Sequence, residues 1–197
     1  PETIILGDSY ANALFDGFLD IKKISTAGIV HTGACDPATT NPMATEYYRI
    51  GKSHPCAGDN FLEYIKKVKE IITKPYVKKI VYVISTPAAH LLRNSTNISA
   101  IVKFLNQPIF HGKEISIILP HQHLNHGPTL CFARPLRLKQ INPCNKVEKN
   151  MDADLLYKSF KSISHKNKLQ AFIYDPNKLF CSKTKCNFVH NGEPLFR

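Results

Sequence analysis

No apolar run in this sequence approaches the ~18–20 residues that a membrane-spanning helix needs. The opening residues, PETIILGDS, show no leader pattern and run straight into a strand-like segment, as expected of a mature chain or a piece cut from a longer one. There is no internal repeat, no low-complexity tract and no Cys-x-x-Cys, which leaves zinc ribbons and thioredoxin-like redox sites without their signature. Acidic residues are scarce, with 15 Asp plus Glu against 26 Lys plus Arg, a formal charge of +11. That balance suggests an anionic partner such as nucleic acid, acidic glycan or a membrane surface. The basic residues are nevertheless scattered in pairs (Lys22-Lys23, Lys66-Lys67, Lys78-Lys79), with no arginine-rich stripe interleaved with aromatics. Nucleic acid is therefore not expected as a partner, and a solvated basic surface accounts for the charge. What remains, 43% hydrophobic and 21% charged over 197 residues, is the composition of one globular domain and excludes disorder, collagen and coiled coil.

Six cysteines stand at Cys35, Cys56, Cys131, Cys144, Cys181 and Cys186. An even count in loop-like surroundings suggests structural disulfides and an oxidising compartment. The simplest pairing is sequential, because each neighbouring pair brackets one loop: Cys35–Cys56, Cys131–Cys144 and Cys181–Cys186. The alternative is a set of reduced, buried thiols in a cytosolic protein.

Short apolar runs alternate with helical periodicity along the chain. Thr3–Leu6 reads as a strand ending in GDSY, and Asn12–Leu19 as a helix. Residues from Ala34 to Pro55 read as loop. Phe61, Leu62, Ile65, Val68, Ile71 and Ile72 recur at helical spacing, with Asp59 as the cap. Ile80–Ile84 is apolar throughout, as in a central strand covered on both faces. Further helices are expected around Ile98–Leu105 and Asp154–Ile163, and further strands at Ile115–Leu119 and Ala171–Tyr174. This alternation argues for βαβ crossovers and a parallel sheet between layers of helices. Ligand sites in such sheets lie beyond the carboxyl ends of the strands, here in the loops after Leu6, Ile84, Leu119 and Tyr174.

Gly7-Asp8-Ser9-Tyr10 is the first candidate for chemistry. A serine at that turn has its hydroxyl at the carboxyl edge of the sheet, where helix-start N–H groups can stabilise a developing negative charge. Gly-Asp-Ser is also an ordinary turn, and both readings stay open on these residues alone. No Gly-x-Ser-x-Gly elbow exists, so the α/β-hydrolase form of serine catalysis is excluded. Among the nine histidines, His90 and His190 are possible internal bases. His121-x-His123-x-x-His126 has metal-ligand density, but loop histidines lining a polar cleft explain it as well, and no metal is expected. Asn94-Ser95-Thr96 and Asn97-Ile98-Ser99 match glycosylation sequons and read instead as a turn and a helix cap.

ILGDSYANAL resembles the first block of the SGNH/GDSL hydrolases. TGACDP followed by Cys56, CFARPL followed by Pro143-Cys144, and DPNKLFCSKTKCNFVHNGEPLFR are similar to the SGNH domains fused behind membrane acyltransferase-3 domains in bacterial O-acetyltransferases. The resemblance runs from Thr3 to Arg197. It implies one α/β domain over residues 1–197, with a three-layer α/β/α, flavodoxin-like fold, a central parallel sheet and disulfide-tied loops. Ser9 matches the family nucleophile. Gly33 and Ala34 fall where the second block supplies an oxyanion N–H, with Ala34 in that slot. The third block's Gly-x-Asn is absent: after IVYVI the sequence reads Ser85-Thr86-Pro87, so Thr86 stands in that place as an oxyanion or binding residue. The family's Asp-x-x-His is expected beyond Arg197, which would leave the domain's C-terminal end incomplete and the chain without its general base.

The resemblance further implies an O-acyltransferase on the periplasmic side of the bacterial inner membrane, with no cofactor. An acetyl donor would arrive through a membrane acyltransferase domain upstream in the parent protein. Ser9 would carry the acetyl group to a sugar hydroxyl of a cell-envelope glycan such as lipopolysaccharide O-antigen. A stand-alone carbohydrate or lipid acetylesterase of the same fold is the alternative enzyme, and a non-catalytic glycan-binding module the alternative from another class.

Overall fold

A computed structural model of the chain describes residues 1–8, 11–12, 14–15, 27–30, 36–38, 58–84, 88–93, 95–121, 147–148, 151–187, 189–190 and 193–194. Strands β1 (Thr3–Leu6), β2 (Ala27–Val30), β3 (Lys79–Val83), β4 (Glu114–Ile118) and β6 (Phe172–Tyr174) form one sheet in the order β2-β1-β3-β4-β6. Every neighbouring pair is parallel, with Leu6 opposite both Val30 and Tyr82, Val83 opposite Ile118, and Ile118 opposite Tyr174. This is the flavodoxin-like order, in which the chain first steps outward from β1 to β2 and then crosses back to β3. The expected α/β architecture with a central parallel sheet is present.

Side chains alternate across the pleat and divide the core in two. Ile4 and Leu6 of β1, with Ile80, Tyr82 and Ile84 in and after β3, join the larger cluster; Ile5, Val81 and Val83 join Ala11 in the smaller one. Burial on both faces is why Ile4–Leu6 of β1 and the residues from Ile80 to Ile84 in and after β3 read as unbroken apolar runs. The larger face is covered by α1 (Gly58–Ile72), α2 (Ala88–Arg93), α3 (Ser95–Leu105) and α4 (Asp152–Lys166). The smaller carries the helical residues Ala11 and Phe15 that follow β1. Each fully buried Leu, Ile or Phe contributes roughly 1.5–3 kcal/mol through removal from water.

The structure corrects the sequence reading in several places. β2 carries only AGIV, too short a pattern to stand out, and it exists because β1 pairs with it. Asp59 lies inside the first turn of α1, where its charge favours the helix N-terminus without capping it. Leu62 is 66% exposed, while Tyr64 joins Phe61, Val68 and Ile72 on the buried stripe. Asn97 sits within α3, not at its cap.

Two small antiparallel pairs follow or flank the main sheet: β5 (Val147–Glu148) with β7 (Lys185–Cys186), and β8 (Val189–His190) with β9 (Glu193–Pro194). A four-residue helix, α5 (Asn177–Phe180), leads from β6 to Cys181, which is bonded to Cys186. The pairs Cys35–Cys56 and Cys131–Cys144 lie outside the described residues. Among the described residues no helix is long and apolar enough to cross a membrane.

Candidate functional site

The ladder hydrogen bonds continue past the strand ends, with Ile84 N–H donating to Ile118 O (3.0 Å) and Leu119 N–H to Tyr174 O (2.9 Å). The four chain exits after Leu6, Ile84, Leu119 and Tyr174 therefore leave one edge of the sheet, as the alternation of strands and helices leads one to expect.

Gly7 is the first residue past β1. Its φ is +155°, and a Cβ built there meets Val83 O at 2.8 Å and Ala11 Cβ at 2.9 Å. The turn thus needs a residue without a side chain, both for its backbone and for the close approach of β3. Asp8 follows, 9% exposed, and its carbonyl accepts the Asn12 N–H at 3.3 Å, opening the helix that covers the smaller face. Ser9, next in sequence, lies outside the described residues, as do Gly33, Ala34 and Thr86.

Asp36 is drawn to the same edge. It is 8% exposed, and the Tyr82 hydroxyl donates to both of its oxygens, each at 2.7 Å. The Ala38 N–H donates to Asp36 Oδ1 at 2.8 Å, closing a local turn. Tyr82 ionises well above the ordinary tyrosine range, first because of burial, then because of the charge and hydrogen bond of Asp36, with smaller effects from Tyr64 and Asp8. Tyr64 is likewise raised, by burial and then by the charges of Asp36 and Asp8. Two phenols held neutral thus adjoin two aspartates. Phenols held above their ordinary range stay protonated near neutral pH and can serve as hydrogen-bond donors there.

Across the sheet, Asp175 follows β6 and is 3% exposed. Its Oδ1 accepts the Asn177 backbone N–H at 3.0 Å and the Asn177 side-chain amide at 2.7 Å; that amide also donates to Pro120 O at 3.3 Å. The exits from β6 and β4 are thereby tied together, just before His121. His123 and His126 lie outside the described residues, His90 is placed in α2, and His190 in β8. Among the described residues no group of three or more His, Cys, Asp or Glu side chains could hold a metal ion.

Tyr64, Tyr82, Asp36 and Asn177 escape a reading of the sequence. Tyr82 is hidden inside an apolar strand run and Tyr64 inside an amphipathic helix. Asp36 and Asn177 look like ordinary turn residues until the fold buries them.

A parallel sheet in the order β2-β1-β3-β4-β6 defines a flavodoxin-like α/β protein, a class whose ligand sites generally lie beyond the carboxyl ends of the strands at the switch between β1 and β3. The family model of the SGNH domain, described as fused to AT3 domains, matches residues 1–197, and the chain belongs to that family. It is accordingly a hydrolase-like module associated with acyltransferases of a membrane protein. No curated protein and no solved structure matches it.

Proposed function

We propose that the chain is the periplasmic SGNH domain of a membrane O-acetyltransferase that acetylates a cell-envelope glycan such as lipopolysaccharide O-antigen. The observation that carries this reading is the match of the whole chain to the AT3-fused SGNH family. The Gly7-Asp8 turn adds to it, because it stands at the carboxyl end of β1, immediately before Ser9 in sequence. Ser9 Oγ attacks the carbonyl carbon of an acetyl group delivered through the membrane domain, and its proton passes to a histidine oriented by an aspartate. The resemblance puts both partners in an Asp-x-x-His segment after Arg197. The oxyanion of the tetrahedral intermediate is held by the N–H groups of Ser9 and Ala34, with Thr86 beside them. Collapse expels the donor's leaving group, which takes up the proton, and leaves an acetyl ester on Ser9. A sugar hydroxyl then attacks that ester, losing its proton to the histidine and restoring the free serine.

The test is Ser9→Ala in the complete protein. Glycan acetylation is expected to vanish, and mass spectrometry of the wild type incubated with donor alone is expected to find acetyl on the peptide containing Ser9. Wild-type acetylation by the variant would overturn the nucleophile assignment. Release of acetate to water at a rate indifferent to the glycan would turn the transferase into an esterase.

A further inference from the structure

We propose that the outer face of α4, continued by α5, docks the domain onto an anionic phospholipid surface, with leucines as apolar anchors and lysines as contacts to lipid phosphates. The inference goes beyond acyl transfer and does not depend on the role of Ser9.

α4 carries its buried residues, Ala153, Leu156, Phe160 and Ser164, on one side. Positions 151, 155 and 158 recur at i, i+4 and i+7 on the other. There a solvated helix would show polar groups, yet Met151 and Leu155 are each more than half exposed. Lys158 continues this stripe and Lys161 flanks it, both exposed. α4 feeds β6 and so runs back from the carboxyl edge of the parallel sheet, which leaves Met151 and Leu155 near that edge. α5 follows β6 at the same edge. Its Lys178 reaches α4, with Nζ 4.2 Å from the centroid of the Tyr157 ring, while Lys161 Nζ lies 5.4 Å from the same centroid. Leu179, next in sequence, is 77% exposed.

Charge separates this face from the other basic helix. Along α1 and the turn after it, Lys67 is bonded to Glu63 and Lys74 to Glu70. Such i, i+4 pairs belong to a helix that faces water. Residues 151–187 instead hold seven lysines and three aspartates, of which Asp175 is buried. Lys161 and Lys178 meet an aromatic ring in place of a carboxylate. Lysine is depleted in protein–protein interfaces. Exposed leucines set among lysines suit the boundary of a bilayer, where the aliphatic groups enter the acyl region and the ammonium groups meet phosphates. The family's fusion to a membrane acyltransferase keeps a bilayer within reach.

The experiment sediments the full chain with vesicles of phosphatidylglycerol and phosphatidylethanolamine in equal parts, and with vesicles of phosphatidylcholine alone. Binding is expected to the anionic vesicles only, and to weaken as salt rises. K158Q/K161Q/K178Q should lower the affinity on the order of 100-fold, about fivefold per lysine. L155S/L179S should lower it about 10-fold or more. All five side chains are exposed, so both variants should keep the circular dichroism of the wild type. K66Q/K67Q/K69Q removes the same charge from α1 and should leave the affinity within about threefold. Equal losses from the two lysine sets would mean unspecific attraction of a basic protein, and overturn the docking face. Leucine variants that bind like wild type would overturn the apolar anchors, and no binding to anionic vesicles at low salt overturns the proposal outright. Hydrogen exchange of residues 151–162 in the complete protein supplies an arm that needs no variant. Slower exchange is expected in phosphatidylglycerol nanodiscs than in phosphatidylcholine nanodiscs. Equal exchange in both would overturn the lipid reading, and equal protection would assign the face to the membrane domain.

Discussion

Replacing Gly7 by alanine tests the geometry of the candidate site without touching its chemistry. Two independent penalties arise. An L residue at a φ of +155° is strained, at a cost of about 1–3 kcal/mol. The new methyl also comes within 2.8 Å of the Val83 carbonyl oxygen and 2.9 Å of Ala11 Cβ, an overpacking that costs about 1–3 kcal/mol. The first neighbour is backbone in the centre of the sheet and has little room to retreat. The sum, about 2–6 kcal/mol, is a large part of the ~5–15 kcal/mol that holds a typical domain together. Urea unfolding followed by circular dichroism should show the midpoint falling at constant m. Gly112→Ala is the control, since its φ is +76° and nothing lies within 4 Å of the added Cβ. It bears the conformational cost alone. Combining Gly7→Ala with Ala11→Gly removes one of the two contacts, so the double variant should be less destabilised than the sum of the singles. A Gly7→Ala variant within about 0.5 kcal/mol of wild type, inside the range of ordinary surface substitutions, would refute the reasoning.

Tyr64 and Tyr82 ionise above the ordinary tyrosine value in the folded state, so the stability they contribute is intact below pH ~10 and is lost as the pH rises beyond it, by up to about 1.4 kcal/mol per unit for each phenol; phenolate absorbance compared with the Tyr64→Phe and Tyr82→Phe variants should show these two phenols titrating only as the protein unfolds. The Tyr64 hydroxyl is buried with no hydrogen-bond partner among the described residues, so Tyr64→Phe should be neutral or stabilise by ~1 kcal/mol, and a loss above 1 kcal/mol in chemical denaturation would show an overlooked partner. Opening the Cys181–Cys186 bridge by replacing both cysteines with serine should lower stability by ~2 kcal/mol in the chain-entropy model for so short a loop, and an unchanged melting curve would contradict it. Phe160 is fully buried where α4 meets the sheet, so Phe160→Ala should cost ~3–5 kcal/mol, with a smaller loss expected only if the site collapses.

The layered α/β class, the two central strands and the helical faces are legible in the chain itself, because period and burial leave a local mark. IVYVI is apolar at every position since both of its faces are covered, and the family is recognisable because a motif is a run of neighbours. The Cys181–Cys186 bridge follows from the same closeness along the chain. Tertiary structure alone decided the rest. AGIV becomes β2 only when β1 lies beside it. Leu62 and Tyr64 exchange the roles that their hydrophobicity suggests, because α1 is rotated to put the tyrosine against the sheet. Asp36 and Tyr82 stand 46 positions apart, and no local pattern pairs a turn aspartate with a phenol inside an apolar strand. Their bond exists because the fold takes both out of water, where a carboxylate and a hydroxyl must find each other.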